Sequence, residues 1–278
     1  MTEIGIVGLI LIIANVILSY KGFNDSHFFN RLKFNASQVL INKDYKRLLT
    51  SGFLHTNWTH LIFNMLSLYA FSGLLEYQIK EFPFLLIYFV SLVGGNLLAL
   101  FIHRNHGEYS AVGASGAVCG VIFASIALFP GIGISFIFLP FSIPSWLYGL
   151  LYICYSIYGI KSKRDNIGHE AHLGGALAGM LIAVMLRPNS LIENYLPILA
   201  SSLPAIVFIY LIVTKPHILL IDNYFSNPSK SYYNIDHRYN ERKVNRQKEL
   251  DDLLDKISAR GIDSLSAKEK KKLEEFSN

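Results

Sequence analysis

Ser115, His172, His60 and Asn64 are polar side chains set inside long apolar runs, where such groups are costly and mark functional positions. Ser115 stands in Gly113-Ala114-Ser115-Gly116, at the head of the apolar stretch SGAVCGVIFASIAL. A hydroxyl at a helix N-terminus meets free N–H groups and the positive end of the helix dipole, a setting that favours a developing anion. His172 opens a second apolar stretch, with Ala176, Gly179 and Ala183 following on the same helical face. His60 and Asn64, four residues apart in HTNWTHLIFNMLSLY, share a face that Ser67 continues. Taken singly, the serine could merely cap a helix, and the histidines and asparagine could be hydrogen-bonding glue between helices. Taken together they make a nucleophile and a base. A serine hydroxyl attacks once a base removes its proton. His172 is the expected base, and would later protonate the leaving amine. His60, the Asn64 amide and the backbone N–H of Ser115, with Gly113 in the preceding turn, are expected to hold the oxyanion of the tetrahedral intermediate. Glu170 lies two residues before His172 and points elsewhere on a helix, so the expectation is a dyad and not a triad.

Helices must carry these groups to one place. A spanning helix needs about 20 mostly apolar residues. Seven candidate spans are read at roughly 4–20, 57–76, 83–102, 115–130, 143–160, 171–187 and 196–214. Chain direction alternates, so the starts of spans two, four and six lie on one side of the membrane. His60, Ser115 and His172 all sit near those starts and can share one depth. Gly116, Gly120 and Ala124 form a smooth strip on span four that can lie close against the small-residue face of span six. A long hydrophilic loop, 21–56, joins the first two spans, and the Gly- and Pro-containing GIGISFIFLPFSIP suggests an interfacial loop between the fourth and fifth.

Composition agrees with the spans. Charged residues make up 16% of the 278-residue chain, against about 25% in soluble domains. Much of the charge lies beyond residue 215. There, Leu250, Leu253, Leu254 and Ile257 fall at helical spacing, and Ser266 with Glu269 has the spacing of a capping box. A short helical hairpin is expected. The first apolar run follows Met1-Thr2-Glu3, without the basic start of a secretory signal, and is read as a retained span. Cys119 and Cys154 match no disulfide framework or metal spacing. His169-Glu170-x-His172 is not the H-E-x-x-H of a zinc site, so no metal or cofactor is expected. The net charge of +5 suits anionic lipid headgroups, and the absence of a G-x-x-x-x-G-K-[ST] loop gives no reason to expect nucleotide or nucleic acid.

These motifs resemble those of the rhomboid intramembrane serine proteases. The family's G-x-S-G is similar to Gly113–Gly116, and its H-x-x-x-N to His60–Asn64, with His55 also in a familiar place. Its A-H-x-x-G-x-x-x-G is similar to Ala171-His172 with Gly175 and Gly179. The likeness covers roughly residues 40–187. It implies an all-α polytopic membrane bundle, with a six-helix core (1–195), one additional span (196–214) and a polar tail (215–278). It implies Ser115 as nucleophile, His172 as base, and His60 and Asn64 as oxyanion support. The fifth span and the loop after it would gate substrate access. Substrates would be other transmembrane proteins, cut near helix-breaking sequence with a small residue before the cut. Two departures stand out. The family often places an aromatic four residues after the serine, under the histidine ring, where this chain has Cys119. It often has Trp-Arg in the first loop, where this chain has Lys46-Arg47.

Sidedness is pulled two ways. Lys21, Arg31, Lys33, Lys43, Lys46, Arg47, Arg104, Lys161, Lys163 and Arg164 share the side of Ser115, while the other side holds little beyond Lys80 and Arg187. The positive-inside rule puts Ser115 toward the cytoplasm, whereas the resemblance usually puts it outside. With seven spans, the tail and Ser115 share a side. The expected location is the bacterial inner membrane. An alternative is a catalytically silent rhomboid-like protein that binds or escorts transmembrane clients, but such relatives typically lack the serine or the histidine. A transporter should carry midplane charges that these spans lack.

Overall fold

The computed structural model describes residues 4–135, 142–162 and 167–214, and in the tail Lys256, Ile257, Ser266 and Glu269. Among these residues seven long helices follow the apolar runs: α1 (Ile6–Asn24), α2 (Trp58–Ile79), α3 (Glu81–Ile102), α4 (Ser115–Leu128), α5 (Ser145–Ser162), α6 (His169–Leu186) and α7 (Tyr195–Thr214). Among the described residues, α1, α3, α6 and α7 are long and apolar enough to cross a membrane. The molecule is a helical membrane bundle.

Helix α4 is the exception in length. Its 14 residues rise about 21 Å, against a hydrocarbon core of about 30 Å. Every residue from Gly116 to Leu128 is buried. A helix too short to span must end inside the hydrocarbon depth, where protein or trapped water has to satisfy its terminal backbone groups.

Close packing against α6 and α3 encloses it. A Cβ built on Gly175 would collide with the Gly116 carbonyl, and one on Gly179 with that of Gly120. The two backbones therefore touch along the glycine strip, as small residues allow between membrane helices. Helix α3 closes the third side, its Gly95 against the Ala171 carbonyl of α6.

Two polar side chains of α2 and its approach cap helix starts within the bundle. Glu76, near the end of α2, accepts from the Val7 and Gly8 N–H groups at 2.9 Å each. This carboxylate caps the N-terminus of α1, where the dipole favours negative charge. Asn57 caps α2 by accepting from the His60 N–H at 2.8 Å.

The hydrophilic loop after α1 is structured. It contains short helices at Ser26–Leu32, Ala36–Leu40 and Arg47–Thr50, and a 3₁₀ turn at Ser51–Phe53. Strand β1 (Phe34–Asn35) pairs antiparallel with β2 (Ser110–Ala111), just ahead of Ser115. Arg47 is buried, and donates from Nη1 to the Asn30 and Lys33 carbonyls at 2.9 and 2.7 Å and from Nε to Asp44 at 2.9 Å. Burial of Asp44 pushes its carboxyl up, but the Arg47 hydrogen bond and the Lys46 and Arg47 charges outweigh that and hold it below its ordinary value. So Arg47, without a tryptophan before it, gathers this part of the loop. Between α4 and α5, Gly133–Ser135 (β3) pairs antiparallel with Ser142–Pro144 (β4), so the expected interfacial loop has a hairpin base.

The chain divides into two units, Met1–Ser226 and Asn227–Asn278. In the second, the capping box forms: Ser266 N–H donates to Glu269 Oε2 at 2.7 Å, and Glu269 N–H to Ser266 Oγ at 3.3 Å. Lys256 Nζ donates to Glu269 at 2.8 Å, and with Ser266 it lowers the Glu269 carboxyl to about 2. The expected stripe at Leu250, Leu253 and Leu254 lies outside the described residues.

Gly175→Ala is expected to destabilise the protein by about 1–3 kcal/mol, because the new methyl meets backbone and not a movable side chain. A parental unfolding midpoint in detergent would show that α4 and α6 can separate at no cost.

Candidate active site

The fold brings Ser115 and His172 together. Ser115 is the first residue of α4, and its Oγ lies 2.8 Å from His172 Nε2. His172 sits in the first turn of α6, where its N–H bonds the Gly168 carbonyl at 3.2 Å. The glycine contact between α4 and α6 begins at Gly116 and Gly175, so it places both side chains at the same end of the crossing.

The turn before Ser115 needs its glycine twice over. Gly113 has φ +132°, and a Cβ there would meet His60 Cε1 and Nε2 at 2.9 Å. His60 is thereby placed against the turn that presents Ser115. Its Nδ1 lies 3.3 Å from Thr56 Oγ1. The Asn64 amide donates to the His60 carbonyl at 3.0 Å, four residues back on its own helix. A primary amide has two N–H groups, and this bond uses one.

His55 supports the turn from behind. It is fully buried, with Nδ1 2.8 Å from Ser19 Oγ and Nε2 facing the Ala114 N–H at 3.5 Å. Its ring meets His60 edge to face at 4.9 Å. Burial, and secondarily the His60 charge, push His55 down to about 3, so it is neutral at ordinary pH. The Gly113 N–H donates to the Ser51 carbonyl at 3.0 Å, and Asn96 of α3 donates to Leu48 and Ser51 of the same loop. The first loop and α3 thus clamp the turn.

Two features answer questions that the sequence raised. Glu170 lies 3.2 Å from His103 Nε2, and His103 stacks on Tyr109 at 3.5 Å. The partner found at His172 Nδ1 is Tyr152 of α5, whose Oη lies 2.9 Å away and is itself 3.1 Å from Cys119 Sγ. An aromatic thus stands beside the histidine ring, but it comes from a different helix. The available signal was Tyr148, Tyr152 and Tyr155 at i, i+4 and i+7, one face of the fifth span. Among the described residues no group of three or more His, Cys, Asp or Glu is placed to hold a metal ion.

A helical membrane bundle with a serine at the head of the shortest and most enclosed of its long helices, and a histidine against it, is the class that the geometry defines. The rhomboid domain model matches residues 42–189. The chain belongs to the rhomboid family. It is 29% identical over 220 residues to Rhomboid protease AarA of Providencia stuartii, covering 70% of this chain and 77% of that one. It is 26% identical over 198 residues to RHOMBOID-like protein 12, mitochondrial, of Arabidopsis thaliana (66% and 58%). It is 29% identical over 156 residues to Rhomboid protein 1, mitochondrial, of Saccharomyces cerevisiae (54% and 45%). The chain thus spans about half the length of these two mitochondrial relatives. Residues 233–278 match a separate family of unknown function, DUF6576.

His55 gives a pH test of the clamp. Between its ordinary value of 6.5 and its folded value of about 3, the unfolded chain takes a proton that the folded chain refuses. Its contribution is therefore complete above 6.5 and falls as pH drops toward 3, by up to about 1.4 kcal/mol per pH unit. Lowering the pH from 7.5 to 5 should reduce the thermal midpoint of the parent more than that of His55→Gln. Equal drops would show that His55 is not the group refusing the proton.

Proposed function

We propose that this protein is an intramembrane serine endopeptidase that cleaves transmembrane proteins through a Ser115–His172 dyad. The observation that carries the proposal is the 2.8 Å separation of Ser115 Oγ and His172 Nε2 at the enclosed N-terminus of α4. His172 takes the hydroxyl proton as Ser115 Oγ attacks the scissile carbonyl carbon. The oxyanion that forms is met by the Ser115 N–H at the head of α4, by His60 beside Gly113, and by the unused N–H of Asn64. His172 then gives its proton to the departing amine, leaving an acyl group on Ser115. Water, deprotonated by the same imidazole, releases the acyl group and restores the hydroxyl. No metal or cofactor is called on.

Membership of a family that includes a bacterial protein named a rhomboid protease supports this reading. The same relative, which covers the largest share of both chains among the three named, supports a bacterial cell membrane as the location. Residues 1–195 would form the catalytic core, α7 an added span, and 215–278 a separate tail unit. A silent client-binding role would not need an imidazole within hydrogen-bonding reach of a serine.

Ser115→Ala and His172→Ala should abolish cleavage of a model transmembrane substrate in proteoliposomes while both variants still insert. Asn64→Ala should lower kcat by about a hundredfold with little change in KM. Cleavage by Ser115→Ala at the parental rate would end the proposal.

A further inference from the structure

We propose that Tyr152 is a positioning residue that selects the tautomer of His172 and supports its charged form, with Cys119 receiving the phenol proton. This rests on the Ser115–His172 reading above. A neutral imidazole has one N–H and one acceptor nitrogen. His172 can act as a base toward Ser115 only when Nε2 holds the lone pair, which requires the proton on Nδ1. The atom facing Nδ1 at 2.9 Å is Tyr152 Oη.

A phenol can either donate or accept, and the two choices have opposite consequences. If Tyr152 donates to Nδ1, the proton of His172 sits on Nε2, points at Ser115 Oγ, and no base is present. If Tyr152 accepts, Nδ1 keeps its proton, Nε2 is free, and the phenol hydrogen needs another destination. Cys119 Sγ, 3.1 Å from Oη and buried one turn below Ser115, is that destination. When Ser115 gives up its proton, both ring nitrogens of His172 carry hydrogen, and Nδ1 must donate. The chain of bonds then runs in one direction, from His172 Nδ1–H to Tyr152 Oη and from Tyr152 O–H to Cys119 Sγ. A bond made to the charged imidazole lowers the barrier and not merely the ground state.

The phenol is held in place for this. The Tyr152 ring stacks on Tyr148 at 6.0 Å and packs against Phe123 of α4 at 6.3 Å. Its tilt to the His172 ring is 34° at 5.9 Å. Tyr152 belongs to α5, whereas Ser115 and Cys119 belong to α4 and His172 to α6. The proton state of the base therefore depends on a third helix being seated.

The test measures kcat, KM and the pH profile of kcat/KM for the full-length parent, Ser115→Ala, Tyr152→Phe, Cys119→Val and Cys119→Ser in proteoliposomes. Tyr152→Phe keeps the ring and removes the acceptor. It should lower kcat about tenfold, leave KM unchanged, and move the acidic limb of the profile to lower pH. Cys119→Val should give a smaller loss of kcat, and Cys119→Ser should restore parental values because a hydroxyl also accepts. If Tyr152→Phe does not fold, the valine and serine pair at 119 decides alone. Parental kcat and pH profile in Tyr152→Phe, or in Cys119→Val where Tyr152→Phe does not fold, would overturn the proposal and leave the dyad standing. Cleavage that does not depend on Ser115 would overturn the dyad and this proposal with it.

Discussion

Backbone contact between α4 and α6 sets the position of Ser115 relative to His172. Gly116 meets Gly175 and Gly120 meets Gly179 with no room for a methyl group between them. Ser115 is the residue before the first glycine of this contact, and His172 is three residues before its partner. The register of the crossing therefore sets the separation of Oγ and Nε2. One residue of slip along a helix is about 1.5 Å, enough to break a 2.8 Å hydrogen bond. Larger side chains on either helix would widen the crossing and separate the two groups, however well each was placed on its own helix. The small residues are thus part of the site's geometry as much as of its packing.

The bilayer imposes the second condition. Short α4 cannot reach both faces of the hydrocarbon core, and surrounding protein encloses its N-terminal end. The loop after α1 does this. Arg47 gathers the Asn30 and Lys33 carbonyls, Asn96 reaches from α3 to Leu48 and Ser51, and the Ser51 carbonyl receives the Gly113 N–H. His55 and His60 close the remaining sides of the turn. A segment that reads as hydrophilic connection between two spans is in fact a wall around the polar turn.

Long apolar runs made all seven helices legible in the sequence, with ends a few residues off. Helix α1 runs on to Asn24 through Lys21, because a lysine stem can follow an apolar helix surface while its charge reaches water. The short helices of the first loop were not legible, since four to seven residues carry no usable periodicity. The meeting of Ser115 with His172 was readable from two facts together: the alternating direction of the spans and the matching small-residue strips. The role of Glu76 is not legible there, because capping the start of α1 is a contact between distant segments that no local pattern shows. Tyr152 is hidden for a similar reason. An aromatic in an apolar span looks like packing until a neighbouring helix supplies an imidazole.

The choice of a phenol beside His172 has a physical logic in this setting. A carboxylate in that position would carry its charge into the bundle, at a desolvation cost of several kcal/mol unless fully paired. The nearby carboxylate, Glu170, faces His103. A neutral phenol costs little to bury once its hydrogen has a partner, and Cys119 Sγ is within reach. The drawback is that a neutral acceptor stabilises an imidazolium less than an anion would. In the proposed mechanism, more of the transition-state stabilisation must then come from the oxyanion side. The head of α4, with its unpaired N–H groups and its dipole, is suited to that, because such fixed dipoles act strongly where water is scarce and need no reorganisation as charge develops. In that mechanism a dyad with a modest base depends on the helix terminus that carries its nucleophile, and the enclosure of α4 would serve the chemistry as well as the fold.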